Sequence, residues 1–221
     1  TYGMSCICAL TAQNTKEVSM VENISQVMIT AQLRAIYDDI VPDAVKTGML
    51  STAETVDTVS TFLETLHPSN LVVDPVMVAT SGARLLDEDA VHLYRTKLIP
   101  LASVVTPNVP EAEVLAGMKV QTKEDMKQAA LKIMEIGPKA VLIKGGHAVQ
   151  TATDVLYNGY EFIVYEEKKI ETKNTHGTGC TLSSAIAALL AQNYSLEEAV
   201  QQAKSYLTGA IKAAALHSPG H

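Results

Sequence analysis

The sequence predicts an α/β fold: a mostly parallel central sheet with helices on both faces, a three-layer sandwich in one domain over residues 1–221. Three observations predict it. Short apolar runs of strand length alternate with helix-length amphipathic segments for about 150 residues. The strand-like runs end in polar residues or glycine, at Gly48, Asp74, Asn108 and Lys144. No fixed-period repeat, low-complexity tract or linker divides the chain. With 47% apolar and 19% charged residues, the balance is that of a packed globular chain, which excludes wholesale disorder and collagen-like repeats.

The elements follow in order. Cys6 to Thr11 is a short apolar, strand-like run that turns polar at Gln13 and Asn14. From Asn23 to Ile40 apolar residues recur at helical spacing, with Asn23 as N-cap. Ala44 to Met49 reads as a strand ending in a turn. Ser51 to Leu66 reads as a helix opened by a Ser51/Glu54 capping box. Leu71 to Asp74 is a buried-type strand stopped by Pro75, and Asp89 to Leu98 is helical. Ser103 to Val105 is a strand running into Thr106-Pro107-Asn108, and Pro110 starts a short helix to Leu115. Thr122 to Ile136 is an amphipathic helix, and Ala140 to Lys144 a strand entering Gly145-Gly146. Asn158-Gly159 sets a β-hairpin near residues 154–165, between Asp154–Tyr157 and Tyr160–Tyr165. Two Ala-rich helices, Thr178 to Ala191 and Leu196 to Leu216, close the chain.

Charge and cysteine usage narrow the partners. Seventeen Lys+Arg against 24 Asp+Glu give a net charge of −7, a surface that repels phosphate backbones, so no nucleic-acid partner is expected. No apolar run approaches the roughly 20 residues of a membrane span, and no secretion signal is visible. Cys6, Cys8 and Cys180 form no CxxC pair and read as reduced thiols of a cytoplasmic protein. Residue 1 is Thr and the chain opens directly into strand-like sequence, the pattern expected of a sequence that begins inside a longer protein.

In an open parallel sheet, ligands bind outside the carboxyl ends of the strands. That singles out Gln13, Gly48 with Met49, Asp74, Asn108 with Glu111, and Lys144 with Gly145 and Gly146. The sharpest segment is Asn174-Thr175-His176-Gly177-Thr178-Gly179-Cys180-Thr181, which opens a helix. Its two glycines let backbone approach a ligand, and the unpaired N–H groups of a helix start favour an anion, either a phosphoryl group or an oxyanion. Cys180 falls in that first turn, where the same field favours thiolate. Taken alone, GTGCT is equally a flexible helix entry with a buried small cysteine. The segment lacks the GK[ST] ending of a P-loop and the third glycine of a dinucleotide fingerprint, and the chain contains no HExxH. His176 with Cys180 suggests a cysteine hydrolase, yet no third orienting group is identifiable. Glu111 and Asp74 suit Mg²⁺, which takes few carboxylates and keeps several waters. Lys144 supplies a mobile charge to phosphate. On its own, Glu111 is equally a helix-start carboxylate. Together, anion hole, carboxylates and lysine describe phosphoryl transfer.

Seven stretches carry a resemblance: LTAQNT (10–15), VKTGML (45–50), VVDPVM (72–77), SGARLL (81–86), VTPNVPEAEVL (105–115), LIKGGH (142–147) and KNTHGTGCTLSSAIAA (173–188). The chain resembles the bacterial hydroxymethylpyrimidine/phosphomethylpyrimidine kinases of thiamine biosynthesis, in the ribokinase-like superfamily. The likeness extends from about residue 2 to 215, and GTGC in place of the commoner GTGD marks this branch and related pyridoxal kinases. The resemblance implies a ribokinase-like, Rossmann-like fold, ATP with Mg²⁺ as phosphoryl donor, and a homodimer. The acceptors it implies are a small aminopyrimidine alcohol and its monophosphate. By position, Gln13 is similar to the residue reading the aminopyrimidine edge, and Met49 and Val76 to residues lining the acceptor pocket. Cys180 matches the candidate general base, and the backbone of Gly177, Thr178, Gly179 and Cys180 matches the anion hole. Asn108, Glu111 and Lys144 match the nucleotide-phosphate and Mg²⁺ region, and Asp74 an aspartate near the metal. The family also has a strand and Ser/Gly-rich loop ahead of the position of Thr1, which this sequence does not carry, and a longer glycine/histidine-rich tail. A pyridoxal kinase of the same superfamily, or a non-catalytic pyrimidine-binding homologue, is the alternative expectation.

Overall fold

The computed structural model describes residues 1–14, 17–77, 88–145, 151–168, 170–172 and 175–216. A six-stranded sheet runs β3 (Val45–Thr47), β4 (Leu71–Val73), β5 (Val104–Val105), β6 (Val141–Lys144), β7 (Thr151–Tyr157) and β8 (Phe162–Lys168) in spatial order. The first four strands are parallel and β7 and β8 antiparallel, as expected of crossover helices followed by a hairpin. Successive strand residues alternate between two cores. Leu71, Val73, Val105, Val141 and Ile143 join the larger cluster, packed with α1 (Gln26–Tyr37), α2 (Ala53–Leu66), α4 (Val109–Ala116) and α5 (Lys123–Met134). Val72, Val104, Leu142 and Leu156 face the other cluster, with α6 (Thr178–Leu190) and α7 (Leu196–Ala215). The period-2 pleat thus puts helices on both faces, as the sequence predicts. No helix among the described residues is long and apolar enough to cross a membrane.

Three local expectations are corrected. The strand placed at Cys6–Thr11 lies instead at β1 (Ala9–Gln13). It pairs antiparallel with β2 (Val18–Asn23), an unexpected strand, in a separate two-stranded sheet. Asn23 therefore ends a strand rather than capping a helix; its side-chain oxygen accepts from Ser51 Oγ at 2.6 Å, and Ser25 caps α1. That same bond removes Ser51 from the expected capping box. Ser51 sits at φ +64°, and Thr52 Oγ1 accepts from the Thr55 N–H to start α2. The hairpin is confirmed but longer than expected. Its turn spans Asn158 to Glu161, with Asn158 Oδ1 accepting from the N–H groups of Tyr160 and Glu161, both at 3.0 Å. The expected helix from Asp89 is α3 (Glu88–Leu93), continued by a π turn over Tyr94–Leu98 and a 3₁₀ turn over Ile99–Leu101.

Candidate active site

Backbone hydrogen bonds fasten the carboxyl ends of the central strands to one another. Asp74 N–H donates to the Thr47 carbonyl at 3.0 Å, Thr106 to Val73 at 2.9 Å and Lys144 to Pro107 at 2.8 Å. The residues beyond these bonds are consequently held side by side. Asp74, 2% exposed, is the hub. Its Oδ1 accepts from Lys144 Nζ at 2.8 Å and from Thr106 Oγ1 at 3.3 Å, and its Oδ2 from Ser183 Oγ at 3.1 Å. A buried carboxylate needs such partners, because removing one leaves a charge without water. Thr106 and Ser183 carry no role in the sequence reading. The signal for Ser183 is its place one helical turn after Gly179, on the same face of α6.

Asn108 and Glu111 form a reciprocal cap at the start of α4. The Asn108 N–H donates to Glu111 Oε2 at 2.8 Å, and the Glu111 N–H to Asn108 Oδ1 at 2.9 Å. Glu111 is buried, and burial pushes its carboxyl from 4.5 up to about 7, with the Asp74 charge adding to the rise. The Lys144 ammonium and the backbone amides of Asn108 and Met77 pull the other way without cancelling it.

At the start of α6, Gly177 takes φ +76°, a backbone that glycine adopts without cost, and provides no side-chain cap. The Thr178 N–H reaches the Thr175 carbonyl at 3.3 Å and Thr181 that of Gly177 at 2.9 Å. The amides of Gly179 and Cys180 donate to no acceptor among the described residues. A Cβ on Gly179 would stand 3.3 Å from Lys144 Nζ, so the lysine ammonium lies against the helix start. Two open amides, a positive helix end and an ammonium converge there.

On the other side of this turn is a cavity of about 890 Å³, whose lining includes Gln13, Met49, Val76, His176, Gly177 and Cys180. The Cys180 thiol is exposed to it and free. His176 is engaged elsewhere: its Nε2 lies 3.4 Å from Gln13 Nε2, a contact across 163 residues that fixes the glutamine at the cavity rim. Among the described residues no hydrogen bond joins His176 to Cys180, so the geometry adds nothing to the hydrolase reading. Gly146, Asn174 and the 81–86 segment lie outside the described residues. Among the described residues no group of three or more His, Cys, Asp or Glu side chains forms a metal cluster.

Two ligands of different character can therefore meet across the first turn of α6, a small molecule in the cavity and an anion beside Lys144. That is the layout a small-molecule kinase requires. Comparison with known proteins agrees. The sequence profile of the phosphomethylpyrimidine kinase family matches residues 1–221. A hydroxymethylpyrimidine/phosphomethylpyrimidine kinase from Rhizobium meliloti is 48% identical over 215 residues, covering 96% of this chain and 80% of that protein. The chain is 45% identical to the thiamine biosynthesis bifunctional protein ThiED of Geobacter sulfurreducens over 221 residues, all of this chain but 45% of that protein's length. The crystal structure of phosphomethylpyrimidine kinase from Clostridium difficile 630 superposes with a TM-score of 0.85 at 46% identity, covering 96% of this chain and 87% of that one. An ADP complex of Bacillus subtilis pyridoxal kinase gives 0.87 at 38% identity, with coverages of 96% and 80%. The chain belongs to the phosphomethylpyrimidine kinase family, and it is a phosphotransferase with the fold of the ribokinase-like kinases.

Proposed function

We propose that the chain is one kinase domain transferring the γ-phosphoryl group of ATP to the hydroxymethyl oxygen of 4-amino-5-hydroxymethyl-2-methylpyrimidine, and then to the resulting monophosphate. The observation that carries this reading is the pair of amides at Gly179 and Cys180 that meet no acceptor among the described residues, set between a ligand-sized cavity and the Lys144–Asp74 pair. The pyrimidine rests against Met49 and Val76, with its polar edge toward Gln13. Cys180 faces the acceptor oxygen and takes its proton as the new P–O bond forms. The amides of Gly177 to Cys180 receive the charge of the migrating group. Lys144 and Asn108 face the donor phosphates. Phosphoryl transfer asks mainly for such positioning and charge neutralisation.

The carboxylates fit Mg²⁺. Burial holds the Glu111 carboxyl up to about 7 against the pull of the Lys144 ammonium; a divalent cation beside it would favour the charged form, and carboxylate oxygens are the ligands such an ion prefers. Glu111 is the residue to hold it; Asp74, with both oxygens already accepting, serves through the intervening shell. The ion would neutralise charge on the donor oxygens. We assign the protein to the cytoplasm, where ATP is available and three free cysteines stay reduced.

The second reading is pyridoxal phosphorylation, favoured by the pyridoxal kinases among the structural neighbours. Both acceptors are flat heteroaromatics with a hydroxymethyl arm. Parallel assays of ADP release with each alcohol separate them: turnover on the pyrimidine at least tenfold above pyridoxal is expected, and the reverse order would hand the site to pyridoxal. Tight pyrimidine binding with no ADP released would identify a non-catalytic binder instead.

A further inference from the structure

A second buried ion pair lies one strand away from the first. Lys204 of α7 donates to Asp154 Oδ2 of β7 at 2.7 Å and to the Ala152 carbonyl at 3.1 Å; the residues are 5% and 7% exposed. Asp154 Oδ1 accepts from the Gly145 N–H at 3.0 Å, at the end of β6. The strands are pressed together there: a Cβ on Gly145 would stand 2.2 Å from the Thr153 carbonyl oxygen, so only glycine fits.

The register makes this pair more than packing. Asp154 is the direct cross-strand partner of Lys144. Lys144 is two residues beyond Leu142 and Asp154 two before Leu156, and both leucines join the cluster under α6 and α7, so the two charged side chains leave the same face of the sheet. Lys144 therefore has its ammonium on Asp74 and its cross-strand partner, the buried Asp154, on the same face of the sheet. Lys204 occupies Asp154, which leaves Lys144 to Asp74 and the start of α6.

We infer that Lys204 is a positioning residue for phosphoryl transfer: by holding Asp154, it keeps the Lys144 ammonium at the phosphate side of the α6 terminus. This rests on the reading above that Lys144 faces the donor phosphates. Without Lys204, a desolvated carboxylate is left beside Lys144 and draws its ammonium along the sheet. Removing the Asp154 charge as well abolishes that competition, while an asparagine still accepts from Gly145.

The test is steady-state kinetics at a temperature where every variant is folded, using Lys204→Met, Lys204→Gln, Asp154→Asn, the Asp154→Asn/Lys204→Met double variant and Lys144→Met. Lys204→Gln keeps a donor for the Ala152 carbonyl and stands in if Lys204→Met does not fold. Both Lys204 variants should raise KM for ATP about tenfold or more, the loss of a charge-assisted contact, while KM for the acceptor alcohol stays within about twofold. Asp154→Asn alone and the double variant should return KM for ATP to within about threefold of the unaltered enzyme. A merely structural pair would change both KM values together or neither, and the double variant would recover stability without the ATP-selective swing. Unchanged KM for ATP in the Lys204 variants, with Lys144→Met still impaired, overturns the inference and leaves the site reading intact. If Lys144→Met itself binds and uses ATP normally, the reading of Lys144 falls, and the inference with it.

Discussion

Cys180 and Glu111 carry the most testable chemistry of any single residues. Cys180 stands exposed at the cavity as a free thiol, so Cys180→Ala should lower kcat about 100-fold or more in an ADP-release assay with ATP in excess. A near-normal kcat would reduce the thiol to pocket lining. Glu111 makes a prediction with a definite sign. Its carboxyl is raised from 4.5 to about 7, so the folded protein holds that proton more tightly than the unfolded chain does. The resulting stability is full below about pH 4.5 and is lost as pH climbs through 7, by up to about 3 kcal/mol. Urea midpoints near pH 5 and pH 8 without Mg²⁺ should show this loss. In Glu111→Gln, which keeps an acceptor for Asn108, the contribution from this residue disappears. An unchanged pH dependence in the variant would mean that the carboxyl ionises normally.

Among elements, the start of α6 joins the two halves of the proposed site, and glycine is what makes the close approach possible. Gly179→Ala places a methyl group 3.3 Å from Lys144 Nζ, which must withdraw by a few tenths of an ångström. Stability should fall little, whereas kcat/KM for ATP should drop about tenfold, as measured by initial rates beside a thermal melt. Gly177→Ala is the opposite case: its Cβ meets nothing within 4 Å, but φ +76° costs about 1 kcal/mol with a side chain, so the melt should move more than the site geometry.

Much of this was legible at the level of elements. Apolar strand runs ended by Asp74, Thr106-Pro107-Asn108 and Lys144 announce the carboxyl edge of a parallel sheet, and GTGC before an apolar helical face announces the glycine-led start of α6. Where the reading failed, a tertiary contact decided. Asn23 and Ser51 are good helix starters by composition, yet they hydrogen-bond to each other and leave capping to Ser25 and Thr52. β2 escaped notice because VSMVEN is half-buried only at its first residue and exposed beyond it, so no core face patterns its sequence. Nor could spacing show that His176 belongs to Gln13, or that Ser183 and Thr106 complete the shell of Asp74, since those partners lie far apart in the chain.

At the scale of the whole molecule, the β1–β2 sheet stands apart from the central one and exposes most of both strands. Two strands alone are marginal in water, and Leu10, Met20 and Val21 on them, with Val27 and Met28 at the start of α1, lie open to solvent. This supports the proposal of a homodimer in which the hairpin of one copy covers that of the other. Sedimentation should give twice the 23.7 kDa chain mass, and Met20→Lys should shift it toward monomer. A monomer at micromolar concentration would remove the hairpin as a dimer surface while leaving the site untouched.

Phosphorus NMR of a reaction containing ATP, Mg²⁺ and 4-amino-5-hydroxymethyl-2-methylpyrimidine bears most directly on the chemistry assigned to the α6 terminus. Signals of the pyrimidine monophosphate and then of the diphosphate should grow as ATP declines, and both should slow sharply in Gly179→Ala. ATP left intact beside the alcohol, or a Gly179→Ala enzyme running at full speed, would contradict the placement of phosphoryl transfer at those two amides.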